Sequence, residues 1–275
     1  MDGDYLASSR RIRRKRFFLK AGLGLAAILL VSLGVVGFFY IPKFKIKEIS
    51  IEGADVLDKK EFSAEINDFL TRKLWKILPY DNIFIFPDGQ TADEIMPKFP
   101  IIKSAVFRRD FPQKLSVFIE ERKPAALLCR ESEIQKLECA FADEAGFVFQ
   151  LAPNFSGGIF LKFFDNRRQS TLAGAAIPAD IGKNIIDAGE FRKLNYFVKL
   201  LSKENLAAGK IVIKDEGAYE IHLREKWQIL LSDKNEPEQS FANLKLVLSQ
   251  IIKEKTPQLE YIDLRLGNKV FYKLK

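Results

Sequence analysis

The sequence predicts an α+β protein: a single N-terminal transmembrane helix, a β-α-α-β-β domain, then a mainly antiparallel β domain with two helices. Three observations lead there. Ala21 to Ile41 is an uncharged run of twenty-one residues directly behind RRIRRKRFFLK. Residues 43–123 then order a strand, two helices and two strands. From Pro124 onward, short strands bounded by turn residues alternate with two amphipathic stretches.

At about 1.5 Å rise per residue the uncharged run spans roughly 30 Å as a helix, the thickness of a bilayer's hydrocarbon core. A cleaved signal peptide would have a shorter apolar region and a small-residue cleavage site. This run instead ends Gly37-Phe38-Phe39-Tyr40-Ile41-Pro42, with aromatics where an interface would be, so an uncleaved anchor over 21–41 is expected. The first twenty residues hold seven Lys/Arg against two Asp and so carry +5, leaving +3 to the rest of the chain. The positive-inside rule puts this basic tail, residues 1–20, in the cytoplasm and the bulk outside, despite Lys43, Lys45 and Lys47 on the far side. The basic balance thus reflects topology and attraction to anionic cytoplasmic membrane lipid, and no nucleic-acid partner is expected.

The first outer domain is expected over 42–123. In FKIKEISIEG, Phe44, Ile46, Ile49 and Ile51 mark a strand whose alternation slips at Lys47-Glu48, with Gly53 ending it. Asp58, three residues before Glu61, begins a helix that presents Phe62, Ile66, Phe69 and Leu70 on one face. A second helix is marked by Thr91-Ala92-Asp93-Glu94, buries Ile95 and Phe99, and stops at Pro100. The strands IKSAVFRRD and LSVFIEE follow, joined by Phe111-Pro112-Gln113-Lys114.

The second domain, 124–275, opens with a hairpin of PAALLCR and LECAFAD, and Asp143 to Gly146 turn into FVFQL. GGIFLKFF reads as a strand before a loop rich in Gly, Ala and Pro. The helix Glu190 to Glu204 buries Phe191, Leu194, Phe197, Val198 and Leu201. KIVIK, YEIHLR and QILLS are three short strands. A helix over 238–253 is expected to bury Phe241, Leu244, Leu248, Ile251 and Ile252, and YIDLR and KVFYKLK close the chain.

Chemistry is sparse in this pattern. His222 is the single histidine, and alternation in YEIHLR turns it outward with Glu220 and Arg224. One His and two Cys make no Ser-His-Asp, Cys-His or zinc-ligand arrangement, and Gly157-Gly158 is a turn-like pair, not a phosphate loop. No cofactor or metal is expected. The acidic pairs Glu120-Glu121 and Asp143-Glu144 sit at strand ends and turns. Cys129 and Cys139 fall opposite each other in a hairpin centred near Ile134, with Arg130 opposite Glu138 and Leu127 opposite Phe141. They form either a disulfide, worth about 3 kcal/mol for such a loop, or two small buried residues that stay reduced. Leu264, Leu266, Val270 and Tyr272 lie near a terminal strand with nothing after it to cover its edge, suited to accepting a partner segment. The bland alternative is a mid-sheet strand that only packs.

The β-α-α-β-β order directly after a single span resembles a POTRA domain. KIKEISIEGADVL and FPIIKSAVFRRDFPQKLSVFIEERKPAALL resemble the FtsQ/DivIB bacterial cell-division family more closely still. The run Arg108-Arg109-Asp110-x-Pro112, followed by Glu121-Arg122-x-Pro124, is the most specific part, and YIDLRLGNKVFYK resembles that family's closing strand pair. The resemblance implies a POTRA-like domain followed by an FtsQ/DivIB-type β domain, in a non-enzymatic bitopic divisome scaffold of the cytoplasmic (inner) membrane at the division septum. It implies that the closing strand binds an FtsB/DivIC-like coiled-coil protein together with an FtsL-like one, and so helps regulate septal peptidoglycan synthesis by FtsW–FtsI. Leu266, Asn268, Lys269, Val270, Phe271 and Tyr272 then become the partner-binding residues. Two other readings stand beside it: a membrane-anchored cell-wall hydrolase, and a POTRA-type chaperone or assembly module for envelope proteins.

Overall fold

Helix α1 (Gly3–Phe39) carries the uncharged run, and its part Arg16–Phe39 is long and apolar enough to cross a membrane, with none of it buried against protein. The one hydroxyl along it is satisfied locally, Ser32 donating to the Ile28 carbonyl at 2.9 Å. The helix stops two residues short of the expected Ile41 because Pro42 forces the preceding residue out of helical geometry; Ile41 stands at φ −63, ψ 122. The computed structural model describes residues 3–131, 137–153, 159–167 and 180–275, the backbone alone for 3–15 and 131. The centre of the cysteine hairpin at Ile134, Gly157-Gly158 and the Gly/Ala/Pro-rich loop lie outside these residues. The chain divides into two compact units: Met1–Phe99 with Ser104–Glu120, and Pro100–Lys103 with Glu121–Lys275.

In the first unit β1 (Glu48–Glu52) begins where the alternation slips, so Phe44 belongs to a short turn of 3-10 helix and Ile46 precedes the strand. Helix α2 (Lys59–Leu70) is capped by Asp58, whose Oδ1 accepts from the Lys60 and Glu61 amides at 2.8 and 3.3 Å. Its stripe of Phe62, Ile66, Phe69 and Leu70 is buried. A small pair, β2 (Lys73–Leu74) and β3 (Leu78–Pro79), precedes α3 (Asp88–Ile95). The sheet is completed by β4 (Ile102–Asp110) and β5 (Lys114–Glu121), in the order β1-β5-β4 with β1 parallel to β5.

The Arg-Arg-Asp run holds this unit together. Arg109 donates to Asp88 at 2.7 Å and to the Phe84 and Phe86 carbonyls at 3.2 and 2.8 Å, fastening the approach to α3 onto β4. Asp110 accepts from Arg108 at 2.9 Å and from the Ser116 hydroxyl at 2.5 Å, bracing the β4–β5 turn. Gly53, at φ 78, lies so close to β5 that an added Cβ would stand 2.2 Å from the Ile119 carbonyl oxygen.

The second unit is built on one nine-stranded sheet. Its strands are β6 (Ala126–Glu131), β7 (Leu137–Ala142), β8 (Val148–Ala152), β9 (Leu161–Asp165), β10 (Ala208–Ile213), β11 (Ala218–Leu223), β12 (Gln228–Ser232), β13 (Leu259–Leu266) and β14 (Lys269–Leu274). They lie in the order β14-β13-β12-β11-β10-β9-β6-β7-β8. The β6–β9, β9–β10 and β12–β13 joins are parallel and the remaining neighbours antiparallel. Helix α4 (Ala188–Lys203), capped by Asp187, and helix α5 (Pro237–Val247) lay Phe191, Leu194, Phe197, Leu201, Leu244 and Val247 into a core with Phe163, Ile211, Ile221, Ile229 and Ile262.

Helix α5 differs from the expected 238–253 in one instructive way. At Leu248–Ile252 it widens into a π turn and then tightens into a 3-10 turn. The extra residue in that turn advances the phase, so Val247 and Ile252 are buried while Ile251, expected inside, is exposed.

Cys129 sits opposite Cys139 in the β6–β7 register, Arg130 opposite Glu138 and Leu127 opposite Phe141, and a disulfide joins the two cysteines. Nearby, Arg122 packs its guanidinium 4.0 Å above the Phe147 ring, donates to the Pro100 carbonyl at 3.0 Å and pairs with buried Asp143.

Two outcomes are expected. Gly53→Ala, which must relieve a backbone overlap at a left-handed residue, lowers the unfolding free energy of the first unit by about 3 kcal/mol in urea titration. Reduction of protein from an oxidising compartment lowers the stability of the second unit by about 3 kcal/mol, with no free thiol titratable beforehand.

Candidate functional site

The site is the open end of the nine-stranded sheet. Strand β14 has β13 as its neighbour on one side and, among the described residues, none on the other. In an antiparallel pair, alternate residues turn both backbone N–H and C=O away from the partner. Every second residue of β14 therefore offers an unpaired donor and acceptor along this edge.

Side chains on both faces flank that edge. Val270 and Leu274 pack against the core, so alternation places Tyr272 on the helix-bearing face and Phe271 on the opposite one. Phe271 remains 53% exposed and Tyr272 43%. Leu266, 60% exposed, stands at the mouth of the turn that joins β13 to β14, opposite Lys269. The turn itself is Gly267-Asn268, with Gly267 at φ 64, as a two-residue hairpin loop with glycine first requires. The six residues expected to bind a partner thus share one hairpin. Five are exposed, and Val270 is partly buried as the strand's attachment to the core.

Four further contacts, not singled out in the sequence, hold this hairpin in place. Asn235 donates to the Leu264 carbonyl at 3.1 Å and Asn243, from α5, donates to the Gly267 carbonyl at 3.0 Å. Lys273 pairs with Glu260 across the strands at 2.8 Å. Asp263 accepts from the Arg265 amide at 3.0 Å and from its guanidinium at 2.9 and 2.6 Å. Leu264 between them points into the core. The Asp263 carboxyl is held below the usual carboxylate range, first by the hydrogen bonds from the Arg265 side chain and against the opposing effect of burial.

The residues weighed for chemistry lie elsewhere and carry structural tasks. Asp143 is 5% exposed, bonded to Arg122 and to the Ala145 and Phe147 amides at 2.8 and 3.0 Å. Glu120 accepts from Ser104 at 3.2 Å. His222 lies on the sheet face opposite Ile221, its basicity lowered by burial and then by Lys210. Among the described residues there is no cluster of His, Cys, Asp or Glu that could hold a metal ion.

A single apolar helix leading into β-α-α-β-β, followed by a long sheet with an open closing hairpin, defines a membrane-anchored protein with a POTRA domain and a second, β-rich domain. Residues 44–122 match the family model described as POTRA domain, FtsQ-type. Over 247 residues the chain is 23% identical to the cell division protein FtsQ of Neisseria gonorrhoeae, covering 88% of this chain and 85% of that relative. It is likewise 23% identical over 247 residues to the FtsQ of Neisseria meningitidis serogroup B, covering 88% of each chain. The chain is thus similar to the cell division protein FtsQ over most of its length, and its first unit carries the FtsQ-type POTRA match.

Asp263→Asn is expected to lower stability by about 2 kcal/mol at neutral pH, the scale of hydrogen bonds to charged groups. Because the folded carboxyl titrates below its unfolded value of about 3.9, its contribution is present above that pH and is lost as pH falls through the folded value. Thermal melts of the two proteins should therefore differ most above about pH 4 and converge in stronger acid.

Proposed function

We propose that the chain is a non-enzymatic bitopic scaffold of the divisome, with its basic N-terminus in the cytoplasm and its two units outside the cytoplasmic membrane at the septum. Its closing hairpin binds an FtsB/DivIC-like coiled-coil protein together with an FtsL-like one. Through that complex it helps regulate septal peptidoglycan synthesis by the FtsW–FtsI pair. The observation that carries the reading is the unpaired β14 edge flanked by exposed Leu266, Phe271 and Tyr272. A partner strand added there would gain backbone hydrogen bonds along its length and an aromatic on each face, the usual division between affinity and specificity in strand addition. The basic tail supports the orientation through the positive-inside rule.

The hydrolase reading receives less support. Asp143, the most buried carboxylate of the acidic pairs, is neutralised by Arg122 and by backbone amides instead of being poised beside a second acid.

The test is co-purification of the coiled-coil partner with the full-length chain and two variants. Phe271→Glu with Tyr272→Glu changes only exposed side chains and is expected to weaken binding at least about thirtyfold, the scale of losing a central aromatic anchor. Removal of residues 266–275 is expected to abolish capture. Undiminished capture by a truncated chain with native circular dichroism would sink the proposal.

A further inference from the structure

The closing hairpin leaves unexplained a second exposed apolar surface, in the first unit, where the span meets it. The junction there is fastened by side chains as well as by the chain. Fully buried Asn82 donates to the Phe39 carbonyl at 3.0 Å, and Gln113 to the Pro42 carbonyl at 2.9 Å. Phe38, Phe44, Phe84 and Phe111 form a run of ring contacts, with centroids 5.3, 5.1 and 5.1 Å apart in that order. The Tyr40 hydroxyl donates to the Ile77 carbonyl.

That last bond ties the β2–β3 turn to the end of the span. Two residues of extended chain reach about 7 Å at most, so Trp75 lies within that distance of Ile77, which is bonded to the first residue after α1. A span of this length ends at the boundary between hydrocarbon and headgroups, where Trp and Tyr rings are favoured. Trp75 is 80% exposed and Ile77 52%. Trp75 and Lys76 stand at φ 50 and 62, a left-handed conformation that bulky side chains rarely adopt. The turn thus holds an indole outward, against conformational preference, close to the residue that anchors the turn to the end of the span. Phe111, 60% exposed, and Phe84 extend the apolar surface around the end of the span. Lys43 and Lys73 stand beside it, with the Lys73 ammonium 6.0 Å from the Tyr40 ring centroid, placed to reach lipid phosphates.

We propose that the β2–β3 turn, led by Trp75 and Ile77 and continued by Phe84 and Phe111, inserts into the headgroup–acyl boundary of the bilayer that α1 crosses. It is a second, non-spanning attachment that fixes the orientation of the first unit over the membrane. The occupant is lipid because the surface is continuous, through the ring contacts from Phe38 to Phe111 and the Tyr40 bond, with the apolar end of the span. The inference rests on α1 crossing a membrane.

The chain's two tryptophans make the test direct, since Trp227 is 1% exposed and Trp75 is not. The full-length protein and Trp75→Phe are reconstituted into phosphatidylcholine vesicles, and the difference of their emission spectra isolates Trp75. Flotation of the vesicles reads the anchoring by α1 separately. The expected result is a blue-shifted difference spectrum, with intensity lost to lipids brominated near the headgroup end of the acyl chain more than to lipids brominated near its terminus. Trp75 emission quenched freely by aqueous acrylamide and untouched by brominated lipid would overturn the proposal. So would shielding from acrylamide without quenching by brominated lipid, which would mean that protein, such as a second copy of the chain, covers the surface. Loss of flotation would remove the anchoring itself, and the proposal with it.

Discussion

Strand β9 is the single join between two antiparallel meanders, β6-β7-β8 and β10-β11-β12 with the closing hairpin beyond. It runs parallel to both of its neighbours, bringing Phe163 beside Leu128 on one side and Ile211 on the other. Without it the disulfide-bearing hairpin and the β14 edge would belong to separate sheets. Phe163 is accordingly fully buried, and its ring lies 4.9 Å from that of Phe191 in α4. The position of the β14 edge is thus a consequence of a register set five strands away.

Of the three strands that pair parallel to an earlier one, β9, β10 and β13, the first and last are secured in the same manner. At the end of β9, Arg167 grips the buried side chain of Asp165 at 2.9 Å with two nitrogens and reaches the Ile185 carbonyl at 2.9 Å. In β13, Arg265 grips Asp263. A parallel strand cannot be set by a short hairpin turn, because its predecessor lies across a long connection. An Asp and an Arg two residues apart lie on one face of a strand, and their bidentate pair stiffens the strand end locally, where turn geometry cannot. The cost is a partly buried charge pair, which is tolerable because backbone and guanidinium donors satisfy the carboxylate in both cases.

This separates what the sequence made legible from what it did not. Features with a local period were readable: the α2 and α4 stripes, the β11 alternation, and the Cys129–Cys139 pairing, which follows from the symmetry of a hairpin. Features fixed by distant partners were not. Nothing local to LKFF announces that it pairs parallel to two strands. The π turn that exposes Ile251 breaks an apolar period that looks unbroken in one dimension. The β2–β3 turn was missed because Trp75-Lys76 takes a conformation for which glycine or asparagine would have been the signal. For the closing hairpin, the sequence identified the apolar residues but not Asn235 and Asn243, whose contacts depend on where α5 passes.

The most specific motif and the proposed binding surface are therefore different kinds of object. Arg109 and Arg122 are distinctive because each must meet a fixed carbonyl and a carboxylate at once, and Asp110 because it must accept from both Arg108 and Ser116, which few residues can do. The β14 edge offers mainly backbone groups, which every residue but proline supplies. Its discrimination between partners must then come from the few side chains standing beside it: Phe271 and Tyr272 on opposite faces, and the Lys273–Glu260 pair between strands. A surface of this kind tolerates wide sequence change provided the register holds, and the register is what Asp263, Arg265 and the two asparagines maintain. Under the proposed function, Asp263, Arg265 and the two asparagines therefore matter as much as the aromatics, because an edge strand displaced by one residue turns Phe271 and Tyr272 to each other's face.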